Sequence, residues 1–194
     1  MVRTRLIKLT VFLLPMLLLV ACVSEERVPI PKPKGWPRME LPAHSYQSFE
    51  NETCPFTFEF PKMAEIEKSK DDSCWVDIYF PHYECRWHLT YRHIPSSGKT
   101  FADHYEEYRT LVYKHIQKVT QIKERPVEAK SGNGVMYELF GTVGVPAQML
   151  FADSVNMVMT SFYFDAPVAN DSLAPLIDYM KEDLMHLAQT LEWK

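Results

Sequence analysis

The chain has 194 residues, enough for one domain with additional terminal segments. Hydrophobic residues make up 46% and charged residues 24%, which excludes an intrinsically disordered chain. The net charge is −4, and none of the 6 glycines forms a phosphate-binding motif. The sequence therefore favours neither a nucleic-acid partner nor a nucleotide cofactor.

The N-terminus has the features of a lipoprotein precursor. Three basic residues precede an apolar stretch of about 15 residues, which is shorter than the roughly 20 of a membrane-spanning helix. The stretch ends in Leu19-Val20-Ala21-Cys22, a pattern that a signal peptidase cuts before the cysteine whose thiol receives lipid. We predict a signal peptide over residues 1–21 and lipidation of Cys22. An uncleaved anchor with a chance cysteine is the alternative.

Acylation of Cys22 would hold the protein on a bilayer, because each buried methylene contributes about 0.8 kcal/mol. Val23 follows the cysteine, whereas an Asp there would favour retention in the inner membrane. We therefore predict a lipoprotein of the outer membrane that faces the periplasm.

Residues 22–53 are predicted to be a lipid-anchored, proline-rich tether. Five prolines between Val28 and Pro42 fix φ and remove backbone donors, which favours an extended spacer. Trp36 suggests that the far end of this spacer contacts the domain.

Residues 54–194 are predicted to form one domain that begins with strands. Phe56, Phe58 and Phe60 alternate with polar residues, as in a half-buried strand. Two further runs, Cys74–Phe80 and Cys85–Ile94, flank a four-residue turn. If Phe80 pairs with Cys85, the apolar residues of both runs share one face. The opposite face then carries Trp75, Asp77, Tyr79, Arg86, His88, Thr90 and Arg92.

Two helices and four more strands complete the predicted domain. One helix follows a capping-box-like sequence at Thr100, and the other follows polar residues at 170–172. The predicted order β-β-β-α-β-β-β-β-α has short connections, which favours an α+β fold with a mostly antiparallel sheet flanked by helices. This order resembles the α/β/α sandwich of PsbP and Mog1 proteins, which implies a fold and not a function. The four strands are Val119–Val127, Gly134–Gly141, Ala147–Ala152 and Val155–Phe164.

Three cysteines lie in the predicted domain and allow one disulfide with three pairings. The hairpin register places Cys74 and Cys85 at opposite ends of one face, beyond the roughly 7 Å between Cα atoms that a disulfide spans. This disfavours a Cys74–Cys85 pairing. Of the pairings that stay open we predict a Cys54–Cys74 disulfide, with Cys85 as a buried thiol.

Exposed aromatic residues and two turn motifs are the other candidate sites. Trp36, Trp75 and Tyr79 are candidate interface residues, because aromatic side chains are enriched in protein interfaces. Ser154 and Ser172 each lie in an Asp-Ser-aliphatic sequence, the pattern of O-glycosylation in Bacteroidetes. A turn residue and a helix cap are the alternative interpretations.

No residue pattern indicates catalysis or metal binding. The seven histidines form no H-x-H or H-E-x-x-H motif, and no G-x-S-x-G is present. The adjacent acids Glu106-Glu107 and Glu182-Asp183 are expected to face solvent from their helices. We predict a protein that is not an enzyme and has no metal and no cofactor.

Several different short motifs occur along the chain in a characteristic order. The first is the lipidation motif, or lipobox, that ends at Cys22. Taken in order, they resemble the gliding motility lipoprotein GldD family of Bacteroidetes. The resemblance implies a non-catalytic envelope lipoprotein that supports gliding motility and type IX secretion, with other proteins of that machinery as partners. A periplasmic ligand-binding or chaperone-like module is the alternative, which an apolar pocket would favour. The motifs after Cys22 include residues 31–38 (PKPKGWPR), Cys54-Pro55-Phe56, Cys74-Trp75, His88-Leu89-Thr90-Tyr91, Phe162-Tyr163-Phe164 and His186-Leu187.

Overall fold

The structure is a computed structural model that describes residues 38–68, 74–114, 119–165 and 172–194. The predicted signal peptide, Cys22 and Trp36 lie outside the described residues. Within them, the chain forms ten strands, two α-helices and a short 3-10 helix. In chain order these are β1 (Tyr46–Phe49), β2 (Phe56–Pro61), β3 (Glu65–Lys68), β4 (Trp75–Phe80), β5 (Cys85–His93), the 3-10 helix (Pro95–Ser97), α1 (Phe101–Tyr113), β6 (Val119–Ala129), β7 (Gly132–Gly141), β8 (Ala147–Ala152), β9 (Asn156–Phe164), α2 (Ala174–Thr190) and β10 (Glu192–Trp193).

The strands form two sheets. Seven strands pair antiparallel in the order β3-β4-β5-β9-β8-β7-β6, and a smaller sheet has the order β1-β2-β10. The α+β class with a mostly antiparallel sheet is therefore confirmed. The sequence prediction missed β1, β3 and β10, because strands of two to four residues are too short to show a period. Strand β1 lies within residues 22–53, the predicted tether, and pairs with β2.

The β4–β5 hairpin has the predicted register. Phe80 lies opposite Cys85, Ile78 opposite Trp87, and Val76 opposite Leu89. The match has a physical reason: a shift of one residue would move every apolar side chain of the hairpin to the other face.

One face of the large sheet is fully covered. Buried side chains such as Trp87 on β5 and Phe162 on β9 pack in one core with Leu184 of α2 and Phe58 of β2. Helix α2 and the small sheet therefore cover the same face of the large sheet.

The other face is covered only in part. Helix α1 places Tyr108 and Val112 against Tyr137 of β7 and Leu150 of β8, in a second and smaller core. The members of that core come from α1, from β7, β8 and β9, and from loops beside them. Strands β3, β4 and β5 contribute no buried side chain to it among the described residues.

Helix α2 carries a buried ion pair into the first core. Lys181 and Glu138 of β7 are 5% and 4% exposed, and Lys181 Nζ lies 2.7 Å from Glu138 Oε2. Arg125 Nη2 of β6 lies 2.7 Å from the other oxygen, Oε1. Burial alone would raise the pKa of Glu138, but the hydrogen bonds and charges of Lys181 and Arg125 lower it below its usual value. The pair therefore holds α2 in register with β7.

We expect Lys181→Met to destabilise the domain by about 3 kcal/mol, because it leaves the buried Glu138 carboxylate with Arg125 as its remaining cation. Chemical denaturation followed by circular dichroism measures this change. Asp178→Asn is the matched control, since Asp178 also contacts Lys181 at 2.7 Å but its side chain is 69% exposed. It should cost less than about 1 kcal/mol. Equal losses in the two variants would contradict this account of the ion pair.

Candidate functional site

The uncovered part of the large sheet presents a continuous row of polar and aromatic side chains, which we call the open face. Alternate residues of β4, β5 and β9 point away from the first core, as the period of a strand requires. The strand register places Tyr79, Arg86 and Tyr163 in one row, and Asp77, His88 and Ser161 in the next. The open face consists of Trp75, Asp77, Tyr79, Arg86, His88, Thr90, Ser161 and Tyr163, with Glu65 and Glu67 on the flanking strand β3.

Arg86 lies at the centre of the first row and is held from several sides. Its Nε and Nη2 donate to the two carboxylate oxygens of Asp165 at 2.9 and 3.1 Å, and its Nη1 donates to Glu67 at 2.9 Å. The guanidinium carbon also lies 4.9 Å from the ring centre of Tyr79 and 6.0 Å from that of Tyr163. The hydrogen bond from Arg86 lowers the pKa of the Asp165 carboxyl. These contacts fix the rings and the guanidinium before any partner binds.

The second row contains an acid–imidazole pair beside an exposed indole. His88 Nδ1 lies 2.5 Å from Asp77 Oδ1, and Ser161 lies opposite His88 in the β5–β9 register. The Trp75 ring meets the His88 ring edge to face at 6.2 Å. Trp75 is 48% exposed. Among the large hydrophobic side chains of the described residues, Leu111 is more exposed, at 50%. The structure thus brings two predicted interface residues, Trp75 and Tyr79, onto one surface.

A second group of titratable side chains, which we call the α2 cluster, lies between α2 and the start of the described chain. The Asp183 Oδ1 atom lies 2.5 Å from His44 Nδ1 and accepts a hydrogen bond from the Tyr46 hydroxyl at 2.9 Å. The His44 ring stacks on Tyr179 at 4.2 Å, and the Tyr46 ring stacks on His186 at 3.6 Å. These contacts fix the chain segment that leads to β1 on the surface of α2. Glu182 and Glu59 complete the cluster, at 3.3 Å from His44 and 2.7 Å from His186, respectively.

The prediction that Glu182 and Asp183 both face solvent is correct for Glu182 and wrong for Asp183. The Glu182 side chain is 74% exposed, whereas that of Asp183 is 0% exposed. Burial raises the pKa of Asp183, although the hydrogen bonds from Tyr46 and His44 oppose the shift. A signal was present in the sequence: Asp183 follows Met180 by three residues and Tyr179 by four, so it shares their side of the helix.

A cleft lies beside the first described residues. Its volume is about 510 Å³, within the range of small-molecule sites. The Tyr83 hydroxyl donates to the Glu40 carbonyl at 2.8 Å and so fixes one wall. The lining is mixed: Met39, Tyr83, Phe164, Leu173 and Leu176 with the charged or titratable Arg38, Glu40, His82 and Glu84.

The cysteines differ from the prediction, because Cys54, Cys74 and Cys85 are all free thiols in this structure. Cys74 Sγ donates to the Thr53 carbonyl at 3.4 Å and forms no disulfide bond with Cys54. Burial and a hydrogen bond with Cys54 raise the pKa of the Cys74 thiol to about 12. The two side chains are therefore neighbours, but not as a disulfide. Cys85 is a buried thiol, as expected, and burial raises its pKa to about 12.

The predicted glycosylation positions lie on the surface. Ser154 is exposed in the β8–β9 turn, where Asp153 Oδ1 accepts backbone hydrogen bonds from Val155 at 2.6 Å and Asn156 at 2.5 Å. Ser172 is exposed just before α2, while its neighbour Asp171 lies outside the described residues. Modification of either serine stays a prediction.

Among residues 38–68, 74–114, 119–165 and 172–194, no group of three or more metal-ligating side chains is placed to hold an ion. No helix in these segments combines the length and apolar character needed to cross a membrane.

A family model described as gliding motility lipoprotein GldD matches residues 26–193. The chain belongs to this family. Membership implies involvement in gliding motility and a lipoprotein anchored to a membrane of the cell envelope. It confirms the family that the sequence motifs indicated, over nearly the whole length of the chain. A search of curated proteins finds no match.

Two solved structures with low sequence identity are similar to this chain. The Saccharomyces cerevisiae Ran-binding protein Mog1p has a TM-score of 0.50 and 7% identity, covering 78% of this chain and 96% of Mog1p. The solution structure of cyanobacterial PsbP from Synechocystis has a TM-score of 0.46 and 13% identity, covering 81% of this chain and 98% of PsbP. The likeness to Mog1p concerns the α+β fold alone.

We expect Trp75→Ala to change the free energy of unfolding by no more than about 0.5 kcal/mol, because the side chain is exposed. Trp87→Ala on the adjacent strand is the control, since Trp87 is 0% exposed and its removal should cost about 3–5 kcal/mol. Urea denaturation of the two variants measures both values. A loss of more than about 2 kcal/mol of unfolding free energy in Trp75→Ala would mean that Trp75 stabilises the fold.

We expect Asp183→Asn to change how stability depends on pH. Burial raises the folded-state pKa of Asp183 above its unfolded value of about 3.9, so ionisation costs more in the folded chain. Its stabilising contribution is thus complete below about pH 4 and is lost as the pH rises through the folded-state pKa. The variant should lack this decline in unfolding free energy, measured at several pH values from about 4 to 7. Glu182→Gln, which removes an exposed carboxylate, should keep the wild-type slope. An unchanged slope in Asp183→Asn would refute the assignment.

Proposed function

We propose that this protein is a lipid-anchored, non-catalytic component of the envelope machinery for gliding motility and type IX secretion, and that its open face binds another protein of that machinery. The observation that carries the proposal is the half-exposed Trp75 on the same sheet face as the fixed Tyr79 and Arg86 side chains. Trp, Tyr and Arg are the residue types enriched at the energetic centres of protein interfaces. A prearranged surface also loses little side-chain entropy on binding.

We place the anchor at Cys22 and the protein on the periplasmic side of the outer membrane. Two sequence features support this location: the lipobox ending at Cys22, and Val23 in place of an inner-membrane retention Asp. The tether between Cys22 and β1 would let the open face reach a partner at some distance from the bilayer.

A non-catalytic role is supported by the surroundings of two acid–imidazole pairs, Asp77–His88 and Asp183–His44. Asp77, His88 and Ser161 are the residue types of a hydrolase triad, but they lie in the middle of paired strands. The backbone N–H groups of such strands donate within the sheet, which leaves few for an oxyanion. In the α2 cluster, Asp183 is fully buried and therefore beyond the reach of a substrate.

A periplasmic ligand-binding module is the second candidate function, and the cleft beside Tyr83 favours it. Its volume suits a small amphiphilic molecule, because apolar and charged side chains share the lining.

Variants in the native host test the proposal. Cys22→Ser should release the protein from the membrane fraction and abolish gliding and secretion of type IX cargo. Trp75→Ala should keep the protein in the membrane at wild-type abundance and still reduce both activities, because only the partner contact is lost. Spreading on agar and the cargo content of the medium are the measurements.

Leu111→Ala is the matched control, since Leu111 is 50% exposed on α1, away from the open face. It should behave as wild type. Wild-type motility and secretion in Trp75→Ala would refute the role of the open face. If Met39→Trp, which narrows the cleft, lost both activities while Trp75→Ala kept them, the ligand-binding function would be favoured.

A further inference from the structure

The charges of the open face indicate the chemistry of its partner. We propose that the open face binds a basic segment of a partner protein, with a Lys or Arg side chain on the Trp75 ring and others on the flanking carboxylates. This inference rests on the proposed function, because it specifies what the interface would recognise.

Carboxylates outnumber guanidinium groups on this surface. The strand register brings Glu65, Glu67 and Asp77 to the open face, and Asp165 joins them through Arg86. Against these four acids stand Arg86 and, at the far end of β5, Arg92. A cationic partner would be attracted to this excess, and an acidic one repelled.

The positive charge of Arg86 is already neutralised within the protein. The guanidinium donates to both oxygens of Asp165 and to Glu67, and it lies over the Tyr79 ring. It therefore offers little attraction to an anionic partner. Glu65 on the edge strand is exposed, and its side-chain carboxylate has no ion-pair or hydrogen-bond partner among the described residues. This carboxylate is free to pair with an incoming cation.

Trp75 adds a second cation-recognising group to the same face, where Asp77 and the opposing Glu67 are the nearest of these acids in the strand register. An indole ring is the best aromatic acceptor for a Lys or Arg cation, which it binds within about 6 Å of the ring centre. Trp75 lies two residues from Asp77 on the same strand and the same face, so their Cα atoms are about 6.6 Å apart along β4. Together the two groups can bind one cationic side chain or two neighbouring ones.

The experiment is photo-cross-linking in the native host with p-benzoylphenylalanine in place of Thr90, which lies opposite Trp75 in the β4–β5 register, so that the indole is kept in the full-length chain. Mass spectrometry of the cross-linked peptide then identifies the residues that lie on the open face. We expect a partner peptide with net positive charge. Glu65→Lys in the same chain should lower the cross-linking yield about tenfold, because it places a like charge against the partner.

Glu128→Lys is the matched control, since Glu128 is an exposed glutamate on β6, at the opposite edge of the same sheet. It should leave the yield unchanged. The inference is overturned by a neutral or acidic partner peptide, by cross-links to glycan or lipid alone, by an unchanged yield in Glu65→Lys, or by the absence of any cross-link. Motility and secretion of the Trp75→Ala strain distinguish failure of this inference from failure of the proposed function. If these activities are lost but the captured peptide is not basic, only the present inference fails.

Discussion

Helix α2 carries two charges of opposite sign into the protein interior, and the arrangement of the domain follows from how each is satisfied. Lys181 meets Glu138 on the large sheet, while Asp183 meets His44 and Tyr46 beside the small sheet. Because an unpaired buried charge costs several kcal/mol, the helix can occupy only a position that satisfies both partners. Both sheets are therefore held against one helix by polar contacts as well as by the apolar core.

The same arrangement explains why part of one face of the large sheet is left exposed to solvent. Helix α2 and the small sheet cover one face completely, whereas α1 covers only the part formed by β7, β8 and the adjoining end of β9. The remaining strands keep their outer side chains in contact with solvent. Their polar groups are satisfied by one another, through Arg86 with its carboxylates and His88 with Asp77. This surface is consequently ordered without being covered, which suits a protein interface better than a catalytic cleft.

Much of this architecture could be predicted from the sequence, because a strict alternation of apolar and polar residues allows only one strand register. The alternation in β4 and β5 set the hairpin register and placed Trp75 and Tyr79 on the outer side. The capping box predicted at Thr100 is present, with the Thr100 and Asp103 side chains each bonded to the backbone of the other residue. Short strands escaped prediction, since β10 has only two residues and pairs with a distant part of the chain. The burial of Asp183 was not predicted either, because a helix that packs against two sheets is buried on more than one face.

The two edges of the large sheet have a consequence for how the protein avoids self-association. An edge strand with free backbone groups can add a strand from another chain, and this is a route to aggregation. Strand β6 places the exposed Pro126 and charged residues at one edge, where the proline ring removes a donor. Strand β3 has only four residues, two of them exposed glutamates. Both edges thus discourage strand addition, so association through side chains on a sheet face is the route that the fold leaves open.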